Sequence, residues 1–183
     1  MSIINPADAP ATIAGVASLA GLHNAENAAA AAACLAVLGL AEDEIAEGMA
    51  GFAGLPHRLQ TVASHGGISF VNDSKATNGV AAAKALAAFD NVYWIAGGEA
   101  KEDGLGVATG ETAKVAHAYL IGSAAQAFAA ELDGIVETSL SGDLETATIS
   151  AFADASAATG TDGRDATIPV SYTHLTLPTT PYV

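Results

Sequence analysis

Short apolar runs alternate with helix-length segments across residues 59–153, and this alternation is the strongest constraint on the fold. The run 92–96 (VYWIA) has the length and the aromatic and β-branched content of a buried strand, and it ends at Gly97-Gly98. Further strands are predicted at 59–63, 68–72, 118–121 and 135–138, and helices at 78–89, 123–132 and 142–153. Strands that alternate with helices form a mainly parallel sheet covered by helices, so we predict an α/β fold.

Two helices are predicted ahead of this alternating segment, over residues 25–38 and about 42–50. Asn24 is a favoured N-cap for the first, and Gly39 stands where a glycine commonly ends a helix. The second begins with three acidic residues, which suit the positive end of a helix dipole. The stretch 51–56 (GFAGLP) then predicts a hinge between two domains.

The charge of the chain restricts its partners. The sequence has 20 Asp and Glu against 6 Lys and Arg, a formal net charge of −14. Such a surface repels nucleic acid and anionic membranes, so we expect neither as a partner. The single cysteine excludes an internal disulfide, and no signal peptide or membrane-spanning run is recognisable, so we expect a cytoplasmic location.

Three of the six basic residues fall in predicted loops. Residues 72–78 (NDSKATN) join a strand to a helix, and ligands bind at the carboxyl ends of strands in open α/β sheets. Lys75 in this loop, Lys101 after the Gly97-Gly98 pair, and Arg58 therefore indicate an anionic ligand. The alternative is that these loops are ordinary turns with their basic side chains in solvent, and the spacing alone leaves it open.

Two asparagines, Asn24 and Asn27, lie one helical turn apart and share a face. Two amides on one face could bind the edge of a purine, while helix capping and a polar surface form the alternative. The histidines show no metal-type spacing, and neither a G-x-x-x-x-G-K-[ST] loop nor a G-x-G-x-x-G fingerprint is present.

The motifs taken together resemble those of the Mur ligases. Residues 21–27 (GLHNAEN) are similar to the adenine-side motif G-x-H-N-x-x-N of that family. Residues 54–58 (GLPHR) and 72–78 (NDSKATN) are similar to its D-glutamate-adding branch, as are Gly97-Gly98 and Lys101 to the G-G-x-x-K loop of that branch. The order and spacing agree from about residue 21 to about residue 153.

The resemblance implies a nucleotide site. Asn24 and Asn27 would lie near the adenine of ATP, Arg58 near the phosphates and Asp73 near the ribose hydroxyls. In the full-length enzyme, ATP with Mg²⁺ would phosphorylate the alanine carboxylate of UDP-N-acetylmuramoyl-L-alanine to give an acyl phosphate. This chemistry depends on charge neutralisation and positioning.

The resemblance also implies a site for D-glutamate. Lys75 and Thr77 would help to hold this amino acid, and Lys101 would bind one of its carboxylates. The amine of D-glutamate would then attack the acyl phosphate and release phosphate. The implied function is ligation of D-glutamate in peptidoglycan precursor synthesis, with small molecules as the only partners.

A domain division follows from the same resemblance. Residues 1–53 would be the C-terminal remnant of a central ATP-binding domain, and residues 54–160 a truncated Rossmann-like ligase domain. Residues 161–183 (ending YTHLTLPTTPYV) are expected to be a non-native or disordered tail. Because the family's phosphate loop, metal ligands and UDP-binding domain have no counterpart, we expect the chain to be inactive alone. A non-catalytic Rossmann-type nucleotide-binding module and a related amino-acid ligase remain alternatives.

Overall fold

The computed structural model describes residues 16, 19, 21–99 and 104–171. Two helices come first, and strands and helices alternate after them. In chain order the elements are α1 (Leu22–Val37), α2 (Glu42–Ala50), β1 (Gln60–His65), β2 (Ile68–Asp73), α3 (Gly79–Ala87), β3 (Val92–Gly97), a 3₁₀ helix (Gly106–Lys114), β4 (Val115–Ile121), α4 (Ala125–Leu132), β5 (Thr138–Gly142), α5 (Leu144–Asp162) and β6 (Ala166–Ser171).

The six described strands form one sheet in the order β1-β2-β6-β3-β4-β5. Among their pairings, β1–β2 is antiparallel, while β2–β6, β6–β3, β3–β4 and β4–β5 are parallel. The prediction of an α/β fold with a mainly parallel sheet is confirmed. Because β2, β6, β3, β4 and β5 run the same way, the loops that follow them lie along one edge of the sheet.

Both faces of the sheet are covered. On one face Trp94 and Phe128 lie at the centre of an apolar cluster with side chains from α3, the 3₁₀ helix and α4. On the other face Ile95 and Tyr119 pack against α5. The contact side of α5 consists largely of alanines (Ala147, Ala151 and Ala155), whose small side chains let the helix lie close to the strands.

Strand β6 corrects the prediction for the end of the chain. Of the tail expected from residue 161 to be non-native or disordered, Ala166–Ser171 is ordered and pairs with β2 on one side and β3 on the other. The Trp94 indole N–H donates to the Ser171 hydroxyl at 2.7 Å, and both side chains are fully buried. A proline has no N–H to donate to a neighbouring strand, so it argues against a central strand. On the β3 side, however, the paired residues are Thr167 and Val170, and Pro169 lies between them. Residues 172–183 lie outside the described residues.

Several predicted boundaries also change. Helix α1 begins at Leu22 with Gly21 as its N-cap, so the N-cap assignment of Asn24 is wrong. The strand predicted at 135–138 lies at Thr138–Gly142, because the Ile135 and Val136 N–H groups both donate to the Leu132 carbonyl at the end of α4. Among the described residues, no helix is both long and apolar enough to cross a membrane.

Candidate functional site

A cleft of about 530 Å³ lies where α1 meets the edge of the sheet. Its walls come from α1, from the segment between α2 and β1, from the loop after β2 and from α3. The polar and charged residues that line it are His23, Asn24, Glu26, Asn27, Arg58, Asp73, Lys75, Asn78 and Lys84. Five of the seven predicted site residues therefore share one cleft, although they come from three separate segments of the chain.

The segment before β1 has an unusual backbone on both sides of Arg58. His57 has φ 64° and Leu59 has φ 43°, a left-handed conformation that costs a residue with a β-carbon about 1–2 kcal/mol. The Leu59 N–H donates to Asp73 Oδ1 at 3.0 Å, and the Lys75 N–H donates to the His57 carbonyl at 3.1 Å. These bonds attach the Arg58 segment to the end of β2.

Asp73 is a buried carboxyl group on the wall of the cleft. The residue is only 6% exposed. Burial raises the pKa of Asp73 to about 6, while the hydrogen bond from Leu59 and the nearby charge of Arg58 act in the opposite direction. A buried acid with a shifted pKa at the carboxyl end of a strand is characteristic of a binding or catalytic site.

Half of the basic residues of this acidic chain line the cleft. Arg58, Lys75 and Lys84 are all exposed on its walls. Two other basic side chains of the described residues have acidic partners away from the cleft, with Lys114 beside Asp90 and His117 beside Glu137. Against these three cations the cleft has two acids, Glu26 and Asp73, so its lining keeps a formal excess of one positive charge in a chain of net charge −14, which favours an anionic ligand.

Lys84 and His23 were missed as site residues from the sequence. Burial lowers the pKa of His23, the charge of Lys84 lowers it further, and Glu26 opposes both. His23 on α1 and Lys84 on α3 line the same cleft. No sequence signal identifies Lys84, because its place on the cleft depends on how α1 and α3 lie relative to each other.

The remaining predicted residues have different outcomes. Thr77 is half-buried in the loop after β2 but does not line the cleft. Lys101 lies outside the described residues. Asn78, which was considered a cap, does cap α3, since its side chain accepts the Ala81 N–H at 2.9 Å.

The Gly97-Gly98 pair packs against the neighbouring strand. A β-carbon on Gly97 would collide with the carbonyl oxygen of Ile121, and Gly97 has φ 145°. The Gly98 N–H donates to that same carbonyl at 3.0 Å, and the Gly98 carbonyl accepts the Ala124 N–H at 3.0 Å. Only glycine allows the ends of β3 and β4 to approach this closely.

Comparison with known proteins gives a consistent result. Over 118 residues the chain is 52% identical to the UDP-N-acetylmuramoylalanine–D-glutamate ligase of Rhizobium meliloti (strain 1021), a match that covers 64% of this chain and 26% of that protein. It is 45% identical over 120 residues to the ligase of the same name from Caulobacter vibrioides (strain NA1000 / CB15N), covering 66% and 26%.

The chain is homologous to part of these Mur ligases. It spans about a quarter of the length of the curated relatives that it matches. No protein-family profile matches it. The sequence identity therefore relates the chain to one segment of the D-glutamate ligases.

Solved structures share the fold. The UDP-N-acetylmuramate-alanine ligase of Thermotoga maritima superposes with a TM-score of 0.60 at 13% identity, covering 82% of this chain and 34% of that one. The bifunctional folylpolyglutamate synthase/dihydrofolate synthase of Yersinia pestis CO92 gives 0.56 at 23% identity, covering 82% and 36%. At these identities the likeness extends to the fold alone.

Proposed function

We propose that this chain forms part of an ATP-dependent ligase that joins D-glutamate to UDP-N-acetylmuramoyl-L-alanine in peptidoglycan precursor synthesis. The observation that carries the proposal is the convergence of Asn24, Asn27, Arg58, Asp73 and Lys75 on one cleft. The 52% identity to a ligase of that name supports it.

The nucleotide would occupy the cleft between α1 and the sheet. The amides of Asn24 and Asn27 supply both donors and acceptors, which suits the edge of adenine. Asp73 uses Oδ1 to accept the Leu59 N–H, and its carboxylate has further acceptor positions for ribose hydroxyls. Arg58 can form paired hydrogen bonds with phosphate oxygens.

The amino acid would bind at the carboxyl edge of the sheet. Lys75 follows β2 and offers a positive charge to a carboxylate of D-glutamate, together with Thr77 and Lys101. In the proposed reaction, the γ-phosphoryl group passes to the alanine carboxylate, the D-glutamate amine attacks the acyl carbon, and phosphate leaves as the peptide bond forms. The chain's own cations would lower the charge repulsion between these anionic reactants.

The described residues offer a site for ATP, and they offer no cluster of metal ligands for Mg²⁺. The cleft has a volume and a set of cations that suit a nucleotide, and this supports the ATP proposal. In the part of the chain that the structure covers, no group of three or more His, Cys, Asp or Glu is placed to hold a metal ion. Mg²⁺ enters the proposal as a cofactor of the full-length enzyme, as the resemblance to the Mur ligases implies.

The domain division remains part of the proposal. We propose that the helices within residues 1–53 belong to a central ATP-binding domain and that the ligase domain begins at residue 54. Strand β6 extends this second domain from residue 160 to Ser171. The cleft would then lie between the two domains.

Binding of ATP to the 183-residue chain, measured by isothermal titration calorimetry, tests the nucleotide site. We expect Arg58→Met to weaken ATP binding about tenfold, because hydrogen bonds to charged groups contribute roughly 1.5–3 kcal/mol. Lys114→Met is the matched control, since Lys114 pairs with Asp90 away from the cleft. Equal losses in the two variants would contradict the site.

A chimeric enzyme tests the reaction. The matching segment of the Rhizobium meliloti ligase is replaced by that of this chain, and phosphate release is measured with UDP-N-acetylmuramoyl-L-alanine, ATP and each of several amino acids. We expect activity that depends on D-glutamate and falls at least tenfold in Lys75→Met. A folded chimera that prefers another amino acid would identify a related ligase instead.

A further inference from the structure

We propose that Asn72 is a positioning residue for Arg58. Its side-chain amide holds the segment 57–59 against the end of β2 and so fixes the guanidinium on the wall of the cleft. This inference rests on the proposed function in taking nucleotide phosphate as the ligand of Arg58.

The orientation of the Asn72 amide follows from its two partners. The Ser74 N–H lies 3.1 Å from Asn72 Oδ1, and a backbone N–H can only donate, so the oxygen faces Ser74. Asn72 Nδ2 then faces His57 Nδ1 at 3.0 Å and donates to it. One amide thus connects the turn after β2 with the segment that carries Arg58.

Two more bonds join the same two segments. Asp73 accepts the Leu59 N–H, and the His57 carbonyl accepts the Lys75 N–H. The segment is therefore bonded to β2 on both sides of Arg58. Of these three hydrogen bonds, the one from the Asn72 side chain is the one that reaches the imidazole ring of His57.

The strained backbone explains why such a contact is needed. His57 and Leu59 both have positive φ, and neither is glycine. Strained residues of this kind persist only where neighbouring contacts determine the conformation, and they concentrate at binding sites. Without the Asn72 contact, the segment can relax toward negative φ, and the Arg58 side chain would then leave its position on the cleft wall.

The same contacts relate the two cations. Arg58 lies between His57 and Leu59, and Lys75 bonds to His57 through its own N–H. Their separation therefore depends on this group of bonds, so the nucleotide phosphates at Arg58 and the D-glutamate carboxylate at Lys75 can be held at a fixed spacing without reordering either backbone.

The test uses Asn72→Ser in the full 183-residue chain. Serine retains an acceptor for the Ser74 N–H but is too short to reach His57, so the turn after β2 is preserved. Asn91→Ser is the matched control, because Asn91 also donates one side-chain hydrogen bond, to the Asp165 carbonyl at 3.1 Å, at the opposite end of the sheet.

The first measurement is amide hydrogen exchange without ligand. We expect exchange at the Leu59 and Lys75 amides to rise about tenfold in Asn72→Ser, while amides of β3 and β4 keep the wild-type rate. Asn91→Ser should leave Leu59 and Lys75 unchanged. Wild-type protection at these two amides in a folded Asn72→Ser chain would overturn the proposal, whether or not the chain binds a nucleotide.

The second measurement is the ratio of ATP affinity to adenosine affinity. We expect Asn72→Ser to lower this ratio about three- to tenfold while adenosine affinity changes less than twofold, because only the phosphates meet Arg58. In an Arg58→Met background the same substitution should have no further effect on the ratio. A loss that persists in that background would show that Asn72 does not act through Arg58.

The two proposals fail in different ways. If wild type binds ATP no more tightly than adenosine, the nucleotide-phosphate assignment fails, and hydrogen exchange alone decides the role of Asn72. If wild type prefers ATP and Asn72→Ser keeps that preference, the positioning role fails while the proposed function stands.

Discussion

The helical pair α1–α2 and the sheet differ sharply in how much core they possess. The buried cluster of the helical pair has only three members, Ala28, Ile45 and Met49, among the described residues, and Val37 on α1 is 88% exposed. The sheet has two large clusters, one on each face, with fully buried aromatic side chains. Burial of apolar area is the main stabilising contribution, so the sheet should be far more stable than the helices.

The cleft lies at the boundary between these regions. Asn24 and Asn27 belong to the weakly packed α1, whereas Asp73 and Lys75 lie at and just after the end of a strand of the sheet. The wall formed by the sheet is therefore supported by a large core, and the wall formed by α1 is supported by a small one. A ligand that contacts both walls would stabilise the helical pair more than the sheet.

The largest expected effect is that of Trp94→Ala in the sheet. The change removes a fully buried side chain and leaves the Ser171 hydroxyl without its donor, so we expect a loss of about 3–5 kcal/mol and unfolding of both regions. Met49→Ala is the counterpart in the helical pair, where only α1 and α2 should lose structure. Denaturant titrations followed by far-UV circular dichroism measure both, and a global loss from Met49→Ala would remove the distinction between the regions.

A second contrast uses one glycine of the sheet. In Gly97→Ala the new β-carbon would collide with the Ile121 carbonyl at a positive φ, and we expect a loss of roughly 3 kcal/mol in the free energy of unfolding. The same denaturant titration measures it. A near-neutral result would mean that the ends of β3 and β4 separate easily.

Asp73→Asn tests whether the buried charge of Asp73, on the sheet side of the cleft, lowers the stability of the folded chain. Because the pKa of Asp73 is about 6 in the folded chain and 3.8 is its ordinary value, folding takes up a proton between these values. Its contribution to stability is thus fully present below about pH 4 and is lost as the pH rises through about 6.

The amide that this substitution introduces retains an acceptor for the Leu59 N–H but carries no charge. We therefore expect the variant to gain about 2–3 kcal/mol relative to wild type between pH 4 and pH 7, measured by thermal or urea unfolding at each pH. Over the same pH range, the variant should bind ATP more weakly than wild type does. A stability difference that is independent of pH would contradict the buried-charge account.

Gly48→Ala should strengthen the weaker region. Gly48 lies within α2, and apart from the adjacent residues and the backbone of α2 itself, no heavy atom of the described residues stands within 4 Å of an added β-carbon. Alanine is favoured over glycine in a helix by about 0.5–1 kcal/mol, so α2 should become more resistant to unfolding while the sheet is unaffected. Hydrogen exchange of the α2 amides measures the gain, and an unchanged rate would show that packing limits this helix.

The smallest effect is expected at the contact between the two walls. Lys84→Met removes a positive charge that lowers the pKa of His23, so this pKa should rise. NMR titration of the His23 ring measures the change. Lys114→Met, distant from the cleft, is the control. An unaltered His23 titration would place Lys84 too far from α1 to act on it.

The sequence predictions succeeded where a feature depends on residues that are close together in the sequence, and they failed where it depends on contacts between distant segments. The bounds of α2 and the strand at 92–96 followed from local composition. The site motifs are short contiguous segments, so their residues could be proposed before the fold was known. Lys84 could not, because its place on the cleft depends on how α1 packs against α3.

Strand β6 is a second feature that contacts between distant segments determine. Its β-branched residues Thr167, Ile168 and Val170 suit a strand, but Pro169 argues against a central one. The partners that make it central lie in β2 and β3, far from it in the sequence. Ser171 gains its role only by lying beside Trp94, 77 residues away in the sequence. Tertiary context decided both, and local propensity could not indicate it.

The central place of β6 determines when the sheet can be completed during synthesis. Strands β1 and β2 emerge from the ribosome first, followed by β3, β4 and β5, and the strand that joins the two groups is translated after all of them. Until Ser171 leaves the exit tunnel, β2 and β3 each present an unpaired edge, which is where a nascent chain can pair wrongly or aggregate. The nascent chain therefore remains in two separate halves until its last described strand has been made.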